Sequence, residues 1–156
     1  MTVRVIALGN RMAGDDGAAL VVAERLAGEP DVDLRLAGRP GTGLLDLLDP
    51  AVPTLVLDVV RRGAAPGALV ELRLDELVRA SVEGQSLSSH DLGVADAFRL
   101  AEALDRELPD GLFLGMGGET FDPGTELTPH VARRLPDYEI AARAAISALR
   151  SRIELR

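Results

Sequence analysis

Short apolar runs alternate along the chain with stretches in which apolar residues recur at helical spacing. Val3-Arg4-Val5-Ile6-Ala7-Leu8 ends at Gly9. After the turn Asn10–Gly17, Ala19, Val22, Ala23 and Leu26 mark one face of a helix. Continued through the chain, the pattern predicts strands near 3–8, 32–36, 54–58, 67–72 and 112–116, and helices near 17–28, 42–49, 90–107 and 136–152. Thr128-Pro129 reads as a cap followed by proline at the first helical position, opening a short turn over 129–134. Pro136 is then expected to restart the chain as the final helix, with Ala142, Ile146, Leu149 and Ile153 as its apolar stripe. Residues 61–67, Arg-Arg-Gly-Ala-Ala-Pro-Gly, form a turn-rich connection, which makes strand 67–72 an expected antiparallel edge.

Strands alternating with helices predict an α/β fold: a single domain over residues 1–156, built as a three-layer α/β/α sandwich around a mainly parallel central sheet of about five strands. In such sheets the loops at the carboxyl ends of parallel strands line the functional crevice. The loop after the first strand, with its adjacent Asp15 and Asp16, is therefore the first place to look for chemistry.

Composition narrows the choice. An apolar content of 47% over 156 residues supports a sizeable core. The absence of cysteine excludes disulfides, thiolate metal sites and thiol nucleophiles. All 17 basic residues are arginine, and the net charge is −8 with acids scattered rather than clustered, which opposes nucleic-acid or anionic-membrane partners. With no signal-peptide pattern before Val3 and no apolar run of membrane-spanning length, a cytoplasmic protein is expected. With no further apolar face evident, a monomer is expected.

Three positions carry the candidate chemistry. Asp16 lies in the first loop. Asp58 ends Leu55-Val56-Leu57 and is followed by Val59-Val60; an acid inside an apolar run is costly unless paired or coordinating, although a cap or turn role is the alternative. His90 lies in Leu87-Ser88-Ser89-His90-Asp91-Leu92-Gly93, where Ser88 and Asp91 have capping-box spacing. In the first turn of a helix the dipole disfavours protonation, and a neutral ring can ligate a metal; a ring that merely bonds nearby backbone is the plainer reading. Two carboxylates and an imidazole suit a borderline divalent metal such as nickel, zinc or iron, with coordination positions left open. Asp15 either caps the first helix while Asp16 faces the crevice, or the two exchange roles. His130, Glu119 and Asp122 read as solvated. No zinc-protease helix, serine elbow, dinucleotide fingerprint or P-loop is present.

At these residues the chain resembles the hydrogenase maturation endopeptidases. The resemblance rests on Leu8-Gly9-Asn10 with Gly14-Asp15-Asp16-Gly17, on Leu57-Asp58, on Ser89-His90-Asp91-Leu92-Gly93, and on Leu127-Thr128-Pro129 before the last helices. It implies an endopeptidase that removes the carboxyl-terminal extension of the nickel–iron hydrogenase large-subunit precursor after nickel insertion. It also implies that Asp16, Asp58 and His90 are the metal-contacting and catalytic residues, and that the nickel is contributed by the substrate, other divalent metals being able to substitute. The alternatives are a non-catalytic module of the same fold that senses metal or binds the precursor, and a peptidase with an unrelated substrate. Ala19 stands where many members carry glycine, and the first ligand is an aspartate where some carry glutamate. Gly38-Arg39-Pro40-Gly41-Thr42-Gly43 resembles the family's glycine-rich second loop, with Arg39-Pro40 as a less typical part expected to reshape the substrate groove.

Overall fold

The computed structural model describes residues 2–82 and 93–154. Five strands, β1 (Val3–Leu8), β2 (Val32–Gly38), β3 (Thr54–Val60), β4 (Leu69–Arg73) and β5 (Gly111–Gly117), form one sheet in the order β2-β1-β3-β5-β4. All pairings are parallel except β4 with β5, so the expected antiparallel edge is borne out. The central strands β3 and β5 are buried at every position, which explains their nearly unbroken apolar sequences, whereas β2 at the edge is partly exposed.

Alternation along β3 sends side chains into two separate cores. Leu55, Leu57 and Val59 pack with α1 (Ala18–Arg25) and α4 (Pro129–Glu154). Val56 and Val60 pack on the opposite face with the 3-10 segment Gly41–Leu47, α2 (Leu74–Val82) and α3 (Val94–Ala103). Each fully buried aliphatic side chain contributes about 1.5–3 kcal/mol, so both layers are strongly held to the sheet. No helix among the described residues is long and apolar enough to cross a membrane.

Several helical expectations are corrected. The last helix is continuous over 26 residues and contains Pro136, rather than a short turn followed by a restart. Proline within a helix costs about 3 kcal/mol. Here Val131 and Leu135 before it, and Tyr138, Ala142 and Ala145 after it, all bury into the same core and offset that loss. The side chain of Ile153 lies outside the described residues. Helix 17–28 is a 3-10 turn, Gly14–Gly17, followed by the shorter α1. The segment expected as a helix over 42–49 is 3-10 over Gly41–Leu47, because two glycines in seven residues do not sustain α-helix nucleation. Of the helix expected over 90–107, the described part is α3, which starts after extended Gly93 and stops before Asp105, whose φ of +54° is left-handed. The helix α2 was not anticipated; Leu74, Leu77 and Val78 supply its buried face at i, i+3 and i+4.

Candidate functional site

The turn after β1 closes on itself so tightly that only glycine fits at position 9. Gly9 has φ +128°, and a Cβ there would stand 2.1 Å from the carbonyl oxygen of Asp16. This folds the acidic pair back against the carboxyl end of β1, and both side chains are fully buried.

The two acids have different surroundings. The Asp15 carboxylate accepts hydrogen bonds from the backbone N–H groups of Glu119 (2.8 Å), Thr120 (3.1 Å) and Thr128 (2.7 Å), and from the Thr128 hydroxyl. It ties the β1 turn to the loop after β5 and to the start of α4, and it caps neither the 3-10 turn nor α1. Asp16 instead uses Oδ2 to accept from the backbone N–H of Asn10 at 2.7 Å and from Arg39, whose Nε lies at 3.1 Å and whose Nη2 also donates to it. Arg39 comes from the loop after β2, and its side chain is 38% exposed, against 0% for Asp16. Of the two role assignments left open, the buried crevice carboxylate is thus Asp16.

Asp58 lies within β3, opposite Gly115 of β5, on the sheet face shared with Val56 and Val60. Its Oδ1 accepts from the N–H of Val59 at 2.8 Å. Burial pushes its carboxyl up to about 7; the Val59 N–H opposes this, the negative Asp16 adds to it, and Arg39 opposes it. Asp16 and Asp58 are therefore within electrostatic reach of one another, with one guanidinium beside both. Beneath them the Tyr138 hydroxyl, reaching from α4, lies 2.9 Å from the carbonyl oxygens of both Asp58 and Leu114. This pins β3 to β5 where the acid interrupts the apolar run.

Among the described residues no three His, Cys, Asp or Glu side chains converge as a metal-binding group. The third expected position, His90, falls with Ser88, Ser89 and Asp91 outside the described residues. The first turn of α3 is Val94–Ala97, with Asp96 accepting from the Gly93 N–H at 3.2 Å, so this helix does not begin at the Ser88–Asp91 capping box. His130 and Glu119 are exposed as expected and face one another at 3.6 Å. Asp122 is exposed as well.

The sequence reading missed Arg39, Thr128 and Tyr138 as parts of this site. Arg39 had one signal, its position in a loop at the carboxyl end of a strand neighbouring β1. Thr128 was singled out only as a helix cap, and Tyr138 had no signal in local pattern, because their partners are more than twenty residues away.

The sequence profile of the hydrogenase maturation proteases matches residues 21–144. The chain belongs to this family. It is 31% identical over 144 residues to the hydrogenase expression/formation protein HupD of Rhodobacter capsulatus, covering 89% of this chain and 68% of that protein. The hydrogenase maturation protease HybD of Thermococcus kodakarensis superposes with a TM-score of 0.72 at 26% identity, over 93% of this chain and 99% of its own. The maturating endopeptidase HybD of E. coli shares the fold, with a TM-score of 0.79 at 22% identity over 95% and 93% of the two chains. The protein is accordingly a peptidase of hydrogenase maturation, and the expected family and fold class are borne out.

Proposed function

We propose that this protease removes the carboxyl-terminal extension of a nickel–iron hydrogenase large-subunit precursor once nickel has been inserted, acting in the cytoplasm as a monomer. In this reading Asp16, Asp58 and His90 contact the nickel carried by the substrate and form the catalytic site. The observation that carries it is the pair of buried carboxylates, Asp16 in the turn after β1 and Asp58 within neighbouring β3, with the Arg39 guanidinium close to both.

The electrostatics support recognition of a cation that arrives with the substrate. A buried carboxyl raised to about 7 is held largely in its neutral form on the acid side of neutrality, and an approaching divalent ion favours its ionised form. Asp16 is meanwhile paired with Arg39, whose side chain is partly exposed and can turn towards water when a stronger cation takes its place. Two carboxylates and one imidazole are too few ligands for a closed structural site, which suits a metal that brings further ligands of its own. Metal loading then becomes the condition for cleavage. For the hydrolysis itself, a polarised carbonyl or water and a carboxylate general base are both consistent with these groups. Beside the β1 turn a groove of about 490 Å3, lined by Met12, Val21, Thr125 and Leu127 among others, offers a wall for an extended polypeptide.

The test is incubation of the purified protein with nickel-loaded and nickel-free precursor, followed by mass measurement of the large subunit. Shortening of the loaded precursor alone is expected, and Asp16→Ala and His90→Ala variants are expected to remain folded and leave it full length. Equal cutting of both precursors would remove metal recognition; normal cutting by both variants would remove the site.

A further inference from the structure

In the ion pairs Arg4–Asp33 and Arg143–Glu139 the carboxylate side chain keeps 28% and 27% of its surface exposed. In the pair Arg39–Asp16 the carboxylate keeps none, while the arginine keeps 38%. A carboxylate shut off from water depends for compensation on the groups that touch it. Asp16 Oδ2 takes the Asn10 N–H at 2.7 Å, Arg39 Nε at 3.1 Å and Arg39 Nη2. Of these donors, the guanidinium brings the full positive charge. The same charge is felt at Asp58, where it favours the ionised carboxyl against burial. Arg39 thus already holds the position on Asp16 that a bound cation would take.

The loop presenting Arg39 is fixed on both sides. The Gly9 N–H donates to Gly38 O at 2.8 Å, tying the loop to the β1 turn that carries Asp16. On the far side the Gly43 N–H donates to Pro40 O at 2.9 Å, and Leu44 and Leu45 are buried in the core on the Val56 face of the sheet. The part free to move is therefore the arginine side chain. Leaving Asp16 takes a change of rotamer into water, with no refolding of the loop.

A divalent ion reaching Asp16 has to evict this guanidinium, and the like charge opposes its approach. A hydrated ion from solution has only a few protein donors to gain in return. Nickel carried by a precursor arrives with a docked protein surface, whose binding free energy offsets the eviction.

We propose that Arg39 is a specificity-determining residue: it occupies Asp16 in the metal-free protein, excludes free divalent ions, and yields only to nickel borne by the docked precursor. This rests on the reading of Asp16 as a metal contact given above.

The experiment titrates Ni2+ alone into the full-length protein by calorimetry, with circular dichroism to establish folding. For Arg39→Gln, Kd falls about 10-fold or more below the wild-type value, whereas Arg39→Lys, which keeps the charge, stays within about 3-fold. In the Asp16→Asn background Arg39→Gln changes Kd by less than about 2-fold, which separates this site from nickel held elsewhere on the surface. A second measurement needs no Arg39 variant. When diamagnetic Zn2+ saturates the Asp16-dependent site of the wild type, the Arg39 Nε–H resonance shifts and exchanges faster with water. An unchanged Kd for folded Arg39→Gln would overturn the proposal, as would an Arg39 Nε–H signal that stays put at saturation. Processing is a separate readout. A gain in Asp16-dependent nickel affinity, with no shortening of loaded precursor by the wild type, would sink the peptidase-site reading and leave the exclusion of free metal standing. Normal shortening with no such gain would do the reverse.

Discussion

Asp15 and Asp16 are neighbours in sequence, equally buried and in the same turn, yet they belong to two different regions of the molecule. Asp15 sits in a knot of backbone amides from the loop after β5 and the start of α4. Asp16 pairs with a long, partly exposed arginine side chain from the loop after β2. Amides that belong to the fold cannot leave without unfolding it, whereas a guanidinium can rotate into water. The first acid is consequently held by the scaffold, whereas the second is paired with a side chain that solvent can reach. Residue type and burial are the same in both; the mobility of the partner separates structure from chemistry.

The sharpest way to break this comparison is Asp15→Ala. It leaves the amides of Glu119, Thr120 and Thr128 without their shared acceptor, and a loss of roughly 3–5 kcal/mol in denaturant unfolding is expected. Asp16→Asn, by contrast, leaves Arg39 able to reach solvent. Its unfolding free energy should change by about 1 kcal/mol, while precursor shortening falls on the order of 10^3-fold, or about 4 kcal/mol in barrier. Similar stability losses for the two variants would erase the distinction.

Asp58 sharpens the comparison through pH. Its folded carboxyl titrates near 7 against an ordinary value of 3.8, so between these values the folded state holds a proton that the unfolded chain has released. The contribution of this group to stability is therefore full below about pH 4, falls as pH rises to about 7 and is level above that, a span of roughly 2–4 kcal/mol. Asp58→Asn should abolish this slope, read as the difference between wild-type and variant unfolding free energies across pH 4 to 8. An unchanged slope would mean that the carboxyl is not held in its neutral form. The smallest effect expected is that of Thr128→Val, which removes the hydroxyl's donation, shared between the two Asp15 oxygens, while retaining the backbone bond. Urea unfolding should register about 1 kcal/mol, with processing per folded molecule unaltered.

How much of the site could be read from the chain follows the range of the interactions. Asp16 was singled out because it lies in the acidic loop after the first strand, and Asp58 because it breaks an apolar run, signals carried within a few residues. Arg39 is 23 residues from Asp16, and Thr128 is 113 residues from Asp15. No local pattern registers such pairs. His90 was singled out on the same local grounds and lies outside the described residues.

Hydrophobic periodicity by itself determined the strands and the α/β class, because burial on one or both sheet faces imposes a period that adjacent residues must obey; the turn-rich connection 61–67 determined the antiparallel edge. Periodicity did not determine the course of the last helix. Pro136 reads locally as a break, but packing of both flanking turns into one core carries the helix through it. Nor did it distinguish Asp15 from Asp16. Only the tertiary structure decided which carboxylate meets fixed amides and which meets a guanidinium, since that depends on which distant loops the folded chain brings to each.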